Sequence, residues 1–243
     1  MSQKRVLVVG ASGGIGRAVV DNLSKDPSYT AINAVSRQKK LHHTDTRVTH
    51  IALDSNEEAI ASFIQQIKGM GERFHAVYIC TGVLHTGGDG KLKPEKRLED
   101  MHEVQFLEYF RINTVLPSLW LKHLVNVMHK DYAVIALITA RVGSIEDNHL
   151  GGWYGYRSSK AALNMVIKSA AVEYARRSPN TRLLSYHPGT VDTGLSKPFQ
   201  SRVKPEKLFT PAFTANQLVA LTQALELEDS PYFLDWAGKP IPW

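Results

Sequence analysis

A glycine-rich turn between a strand and a helix sets the strictest limit on how this chain can fold. Residues Arg5–Val9 form a short, β-branched apolar run of the kind that is buried on both faces of a parallel sheet. Gly10, Gly14 and Gly16 follow it, and residues 17–23 continue with helical periodicity. Such glycines let the backbone approach a pyrophosphate, whose charge meets free amides at the helix N-terminus. The pattern predicts a dinucleotide-binding unit, against the plainer alternative of a turn without a ligand.

A tyrosine and a lysine stand four residues apart far downstream of this turn. Tyr156 and Lys160 enter an apolar run that has helical periodicity, so they would share one face of a helix. An ammonium held beside a phenol favours the phenolate and lowers the phenol pKa toward the neutral range. The pair alone is common on exposed helices. Together with the glycine turn it predicts hydride transfer at a carbonyl or alcohol carbon.

These segments, in this order, resemble the short-chain dehydrogenase/reductase family over essentially the whole chain. The glycine turn is similar to the family's Thr-Gly-x-x-x-Gly-x-Gly pattern, with Val9 in place of the threonine. Residues 143–145, 151–152, 154–164 and 235–243 are similar to the C-factor-like and sniffer-type carbonyl reductase branch. The resemblance implies one domain over residues 1–243, built as a doubly wound Rossmann-type α/β sheet with helices on both faces.

The resemblance also implies roles for individual residues. Asp54 matches the acidic residue at the adenine ring, and Asn113 matches the helix asparagine that supports a water linked to the lysine. The segment from Pro188 to Thr193 matches the one beside the nicotinamide. The cofactor would then be held by Gly10, Ser12, Gly14, Ile15, Gly16, Arg37, Asp54, Gly82, Tyr156, Lys160, Pro188, Gly189, Val191 and Thr193.

Two departures from the family pattern affect the expected site. Residues 79–82 replace the family's Asn-Asn-Ala-Gly, so Gly82 remains but the asparagines are absent. Ala140 aligns with the catalytic serine, and an alanine cannot hydrogen-bond a substrate carbonyl. Thr139 and Ser144 are the neighbouring hydroxyls. Alternation along a strand would turn Thr139 to the opposite side, which slightly favours Ser144 as the donor. The third alternative is that neither replaces the serine.

The residue after the second predicted strand bears on cofactor choice. Arg37 follows the apolar stretch of residues 31–36, at the position where an acidic residue would bond the ribose 2′-hydroxyl of NAD. A guanidinium suits a 2′-phosphate instead, with Ser12 and Lys39 as helpers. We therefore expect NADP(H), while NAD(H) stays open because Arg37 could also lie over the adenine.

Composition argues against several other partners. Basic residues outnumber acidic ones by 29 to 23, but they fall in short scattered clusters and not on a nucleic-acid-reading motif. Cys80 is the single cysteine, so an internal disulfide is excluded. The histidines show no metal-binding spacing, and no apolar run reaches the roughly 18 residues of a membrane span. The first strand begins too early for a signal peptide to precede it. We expect a cytoplasmic protein without metal, membrane or nucleic acid.

Alternating strand and helix signals predict parallel strands, with the site at their carboxyl ends. A long helix is expected over residues 101–128, irregular near Pro117 because proline interrupts the hydrogen-bond ladder. Residues 84–96 and 195–213 look like covers, and the second is the expected substrate lid. Its Phe199, Leu208 and Phe213 suggest an apolar or aromatic substrate, unless they pack on their own domain. The helices carrying Asn113 and Tyr156 are where relatives dimerise, so a homodimer or homotetramer is expected.

The sequence thus predicts an NADP(H)-dependent carbonyl reductase or alcohol dehydrogenase acting on a small molecule. Tyr156 would be the general acid. Lys160 would lower the pKa of Tyr156 and hold the nicotinamide ribose, and Asn113 would position a water in the proton relay. Ser144 or Thr139 would polarise the carbonyl. The alternative is a nucleotide-bound signalling protein or redox sensor with little turnover, which Ala140 and the C-factor-like resemblance keep open.

Overall fold

Parallel strands form the centre of the molecule. The computed structural model describes residues 4–38, 42–86 and 92–243. Its strands are β1 (Lys4–Val9), β2 (Tyr29–Ser36), β3 (Val48–Ala52), β4 (Ala76–Ile79), β5 (Ala133–Ile138), β6 (Thr181–His187), β7 (Thr190–Val191), β8 (Leu208–Phe209) and β9 (Tyr232–Asp235). Seven of them form one parallel sheet in the order β3-β2-β1-β4-β5-β6-β9. Strands β7 and β8 pair separately. The doubly wound α/β sheet that the sequence predicts is confirmed.

Helices cover both faces of this sheet. They are α1 (Gly14–Leu23), α2 (Glu57–Gly69), α3 (Glu103–Phe110), α4 (Leu116–Leu124), α5 (Tyr154–Arg177) and α6 (Pro211–Ala224). Along β1, Val6 and Val8 join the core under α1 and α6, whereas Leu7 and Val9 join the core under α2, α4 and α5. The chain crosses from one side of the sheet to the other between β1 and β4, which opens a cleft at the carboxyl ends of those strands.

The long helix predicted over residues 101–128 is divided into two. Helix α3 ends at Phe110, a π-helical turn spans Arg111–Val115, and α4 ends at Leu124. The cause is Pro117, whose ring has no amide hydrogen to give to the carbonyl of Asn113. The irregularity expected near Pro117 therefore falls on Asn113 itself. Part of the first expected cover, residues 87–91, lies outside the described residues, as does Lys39.

Candidate active site

Close backbone packing explains the glycines of the first turn. Gly10 has a φ of +82°, which favours glycine, and it accepts a hydrogen bond on its carbonyl from the amide of Gly13. A Cβ on Gly16 would lie 2.2 Å from the Gly10 carbonyl oxygen, so no larger residue fits there. Helix α1 begins at Gly14 without a side-chain cap, and its first amides are therefore available to an anion. Ser12 lies on the same turn.

An exposed cation follows the end of β2. Arg37 is exposed, and among the described residues it has no hydrogen-bond or ion-pair partner. The amide of Leu53 donates to the carbonyl of Ser36 at 2.9 Å, which brings the exposed Asp54 next to this strand end. The two residues expected at the adenosine end of a dinucleotide are therefore neighbours along the same sheet edge.

One cavity of about 540 Å³ joins the glycine turn to the tyrosine. The predicted site residues that line it are Gly14, Ile15, Gly82, Thr139, Tyr156, Lys160, Pro188, Gly189, Val191 and Thr193. Gly10, Ser12, Gly16, Arg37, Asp54, Asn113 and Ser144 do not line it. Its apolar wall includes Leu84 and Val203, which belong to the two expected covers, and also Val142 and Trp153, which no pattern in the sequence assigns to the site.

Tyr156 and Lys160 lie in the first turns of α5, and both are buried. The Lys160 amine donates to the carbonyl of Ile138 at 2.9 Å and lies 5.9 Å from the centre of the Tyr156 ring. Burial lowers the pKa of Lys160 to about 8, and burial raises the pKa of Tyr156 above its ordinary value. The expectation that the ammonium lowers the phenol pKa is not met in this structure, where desolvation of the phenol raises it. A protonated phenol at neutral pH is the form that a general acid requires.

Asn113 is buried beside Lys160 but serves the backbone of the neighbouring loop. Its Oδ1 accepts from the amide of Val83 at 2.8 Å, and its Nδ2 donates to the carbonyl of the same residue at 2.9 Å. A Cβ on Gly82 would lie 3.4 Å from the lysine Nζ and 3.5 Å from the asparagine Oδ1. Asn113, Lys160 and Gly82 therefore meet, and the asparagine side chain is committed to Val83.

The hydroxyl of Thr139 belongs to a buried hydrogen-bond chain. Thr139 Oγ1 lies 2.7 Å from Ser185 Oγ, which donates to Asn164 Oδ1 at 2.7 Å. Asn164 Nδ2 donates to the Gly143 carbonyl at 3.3 Å, which fixes the orientation of the amide group. Ser185 has one proton and gives it to Asn164, so Thr139 must donate to Ser185. Thr139 therefore keeps only its lone pairs for other partners.

Ser144, the other candidate hydroxyl, lies beyond the cavity wall. It is buried, and its Oγ accepts a hydrogen bond from the amide of Asp147 at 3.1 Å. Ala140, at the aligned serine position, does line the cavity and packs in one apolar cluster with Tyr156. The structure thus brings Thr139 and Ala140 to the cavity and leaves Ser144 outside its lining.

The expected lid lies over one end of this cavity. Residues 195–213 contain two short 3₁₀ turns, at Lys197–Arg202 and Pro205–Lys207, followed by β8 and the start of α6. Phe199 lines the cavity and packs edge-on against Trp153, with ring centres 5.2 Å apart. Leu208 does not line it. Phe213 packs on Phe209 and Trp236 instead. Of the three apolar residues expected to face a substrate, the structure thus places one at the cavity.

Two further groups complete the description of the site. Cys80 lines the cavity, and burial raises the pKa of its thiol to about 12, which disfavours the nucleophilic thiolate. His187, immediately before Pro188, also lines the cavity, and burial lowers the pKa of its imidazole to about 4. Among the described residues, no cluster of three potential ligands could hold a metal ion, and no helix is long and apolar enough to cross a membrane.

Comparison with known proteins identifies the family. The protein-family model described as short chain dehydrogenase matches residues 4–204 of this chain. The chain belongs to the short-chain dehydrogenase family. It is therefore an NAD(P)-dependent oxidoreductase, as the sequence predicts. The matched residues include the glycine turn, the Tyr156–Lys160 pair and the Pro188 segment, and the fold brings all three to one cavity.

Individual relatives agree with the branch suggested by the sequence. The 1-hydroxy-2-glutathionyl-2-methyl-3-butene dehydrogenase of Rhodococcus sp. (strain AD45) is 28% identical over 98% of this chain and 99% of its own length. The C-signal of Myxococcus xanthus is 34% identical over 45% of this chain and 60% of its own length. Two solved carbonyl reductases, Sniffer of D. melanogaster and an NADPH-bound enzyme from chicken, are 20% and 21% identical. Each superposes with a TM-score of 0.83 over 100% of both chains.

Proposed function

We propose that this short-chain dehydrogenase reduces a small carbonyl compound to an alcohol with NADPH, and that it runs in reverse as an alcohol dehydrogenase. The observation that carries the proposal is the shared cavity in which Tyr156 and Lys160 face the glycine turn and the Pro188 segment. The walls contributed by Leu84, Trp153 and Phe199 favour an apolar or aromatic substrate.

The preference for NADPH rests on Arg37. Its guanidinium is exposed at the end of β2 and has no partner among the described residues, so a 2′-phosphate would meet an uncommitted cation. The uncapped start of α1 would hold the pyrophosphate, with Gly10 and Gly16 permitting its close approach. The NADPH-bound state of the chicken carbonyl reductase agrees with this choice.

The chemistry assigned to the chain is proton transfer and orientation. When bound, NADPH supplies the hydride to the carbonyl carbon. Tyr156 gives its phenolic proton to the carbonyl oxygen as that bond forms, so the alcohol leaves with both hydrogens. Lys160 holds the nicotinamide ribose and supports the return of a proton to the phenolate. Pro117 has no amide hydrogen to donate to the backbone carbonyl of Asn113. That carbonyl would therefore hold the water that links Lys160 to solvent.

The alanine at the serine position leaves the substrate carbonyl with one donor. The hydroxyl of Thr139 donates its hydrogen bond to Ser185, and Ser144 does not line the cavity. These contacts favour the third alternative, in which neither hydroxyl replaces the serine and Tyr156 alone polarises the carbonyl. Substrates with electron-poor carbonyl groups, such as vicinal diketones and quinones, need a second donor least and are therefore expected to react fastest.

Two larger-scale assignments accompany the reaction. Residues 195–213 would act as the substrate lid, since Leu195, Phe199 and Val203 line the cavity. A groove between α4 and α5, which includes Met165, exposes apolar surface and would be covered in a homodimer or homotetramer. The molar mass in solution, measured by light scattering, tests the second assignment.

The competing function is a nucleotide-bound signalling protein with little turnover, favoured by the similarity to C-signal and by Ala140. NADPH oxidation with aldehydes, ketones, vicinal diketones and quinones, measured beside an NADPH binding titration, separates the two functions. We expect turnover with at least the diketones or quinones. Tight NADPH binding without turnover across the panel would favour signalling.

A further inference from the structure

A buried carboxylate lies at the start of the helix that carries Tyr156. Glu95 is 1% exposed, and among the described residues no lysine, arginine or histidine forms an ion pair with it. An unpaired buried charge is costly unless hydrogen bonds stabilise it. The residue lies in a loop well before α5 in sequence, and no family motif identified in the sequence includes it.

The carboxylate of Glu95 supplies the cap that α5 otherwise lacks. Trp153, the residue before the helix, has a φ of 52° and makes no side-chain cap, and the first turn contains no acidic residue. Glu95 Oε2 accepts from the amide of Gly155 at 3.2 Å, and its carbonyl accepts from the amide of Trp153 at 2.6 Å. A negative charge at a helix N-terminus also interacts favourably with the helix dipole.

A second residue holds the other oxygen of this carboxylate. Gln105 Nε2 donates to Glu95 Oε1 at 2.8 Å, and Gln105 Oε1 accepts from the amide of Lys93 at 2.8 Å. Three donors, the amides of Lys93 and Gly155 and the Gln105 amide group, therefore meet three acceptor oxygens. A glutamine at position 95 would have one acceptor oxygen and one donor NH₂ group in place of the two acceptor oxygens of the carboxylate. One of the three donors would then face another donor and lose its hydrogen bond.

The same cluster contacts the ring of Tyr156. A Cβ on Gly155 would lie 2.5 Å from the Tyr109 ring and 2.9 Å from Glu95 Oε1, so the helix start is packed tightly against both. The rings of Tyr109 and Trp153 lie edge-on to Tyr156, with centres 6.3 Å and 6.2 Å away. A shift of the helix start would therefore move the phenol relative to the cavity.

We infer that Glu95 is a positioning residue for carbonyl reduction: it anchors the first turn of α5 to the loop of residues 92–96 and thereby sets the position of Tyr156. This inference rests on the proposed function, since it concerns the placement of the proposed general acid. It predicts that loss of the carboxylate impairs turnover and leaves the distant cofactor contacts unchanged.

The test compares the single variant Glu95→Gln, the double variant Glu95→Gln/Gln105→Glu, which swaps the two side chains, and the control Glu99→Gln. Glu99 is exposed and lies in the next turn of the chain. We expect Glu95→Gln to lower kcat by about 10- to 100-fold, the scale of a small misplacement of a reacting group. The number of NADPH sites per chain should not change, and their dissociation constant should change far less than kcat, because the glycine turn and Arg37 are untouched. The double variant again provides an acceptor for each of the three donors, so its kcat should return most of the way to that of the unmodified protein.

Hydrogen exchange at the Gly155 amide supplies a readout that needs no turnover. Glu95→Gln should speed that exchange at least tenfold, and Glu99→Gln should not. Normal kcat and normal Gly155 exchange in Glu95→Gln would overturn the inference, as would a fall in kcat matched by an equal loss of NADPH sites. If the unmodified protein reduces nothing on the panel, the proposed function fails with the catalytic part of this inference, and the exchange rate then decides whether Glu95 anchors the helix.

Discussion

The two halves of the cavity are built in different ways. The part of the cofactor half that would meet the pyrophosphate is contiguous in sequence: seven residues from Gly10 to Gly16 form the turn, and a backbone contact between its two ends explains Gly16. The substrate half is assembled from distant elements, with Thr139, Asn164 and Ser185 joined by hydrogen bonds across β5, α5 and β6. Local motifs therefore define where the cofactor binds, whereas the chemistry offered to the substrate depends on long-range partners.

The largest expected effect lies in the substrate half. Tyr156→Phe keeps the buried ring and removes its proton, so kcat for carbonyl reduction should fall by about 10²–10⁴. Cofactor affinity should be unchanged, because the glycine turn is untouched. The matched control is Tyr154→Phe, two residues earlier in the same helix and outside the cavity lining. Steady-state kinetics and an NADPH titration check both variants, and equal losses in the two would contradict the assignment of Tyr156.

The second effect concerns the missing serine. Ala140→Ser adds a hydroxyl at a cavity-lining position, and removal of one such donor from other enzymes costs about 10²–10³ in rate. We expect kcat for unactivated ketones to rise about tenfold or more. Thr139→Val and Ser144→Ala should change kcat less than about threefold.

These three variants also rank the alternatives for the carbonyl donor. A large loss in Thr139→Val would show that Thr139 donates to the substrate despite Ser185. A large loss confined to Ser144→Ala would restore Ser144, the hydroxyl that the sequence slightly favours. Either outcome would show that a hydroxyl close to the aligned serine position polarises the substrate carbonyl. The chemistry of the substrate half would then depend less on long-range partners.

The third effect lies in the cofactor half. Arg37→Asp should weaken NADPH binding by about 1.5–3 kcal/mol, the scale of a charge-assisted hydrogen bond, while NADH binding weakens less. The control is Arg176→Asp, an exposed arginine near the end of α5. Titration of both cofactors checks the prediction. Equal dissociation constants for NADPH and NADH in the unmodified protein would refute the role of Arg37.

The smallest effect concerns stability and pH. Lys160 has a pKa of about 8 in the folded chain, below its ordinary value of 10.5, so the unfolded chain binds more protons between these values. Stability should therefore rise with pH above 8, until tyrosine ionisation in the unfolded chain opposes it near pH 10. Lys160→Met should stabilise the protein by about 1–3 kcal/mol at neutral pH, less the lost hydrogen bond to Ile138, and abolish that rise.

Urea unfolding across this pH range measures the prediction, with the exposed Lys68→Met as the control. Lys160→Met should also lose reductase activity, since the amine is assigned to the proton relay. A Lys160→Met protein that is less stable than the unmodified chain at every pH would show that burial of the amine is not a cost to folding.

The same contrast explains what the sequence could predict. The sheet, the glycine turn and the Tyr156–Lys160 spacing follow from local periodicity and steric limits, and the structure agrees with them. The π-helical turn was expected only as an irregularity near Pro117, because a proline removes a hydrogen bond without specifying what replaces it. The direction of the Thr139 proton depends on Ser185 and Asn164, and no local pattern encodes that pairing.

Glu95 illustrates the remaining limit. In the sequence it is one acidic residue between two lysines, typical of a solvated loop, yet the fold buries it at the start of α5. Likewise, Phe213 was a candidate for the substrate wall, but it packs on Trp236. The side-chain environment of a loop residue is set by tertiary contacts, so such residues are assigned only once the fold is known.

We propose above all that the chain transfers hydride to a carbonyl carbon with Tyr156 as the proton donor. The most direct measurement uses NADPH that carries deuterium at the transferable position of the nicotinamide, together with the aldehydes, ketones and vicinal diketones of the panel, because a hydroquinone keeps no hydrogen on the former carbonyl carbon. For the unmodified protein, we expect one deuterium on the carbinol carbon of the product alcohol, and for Tyr156→Phe we expect very little product over the same time. Stoichiometric NADPH binding without labelled alcohol from any substrate, or equal labelling by both proteins, would contradict it.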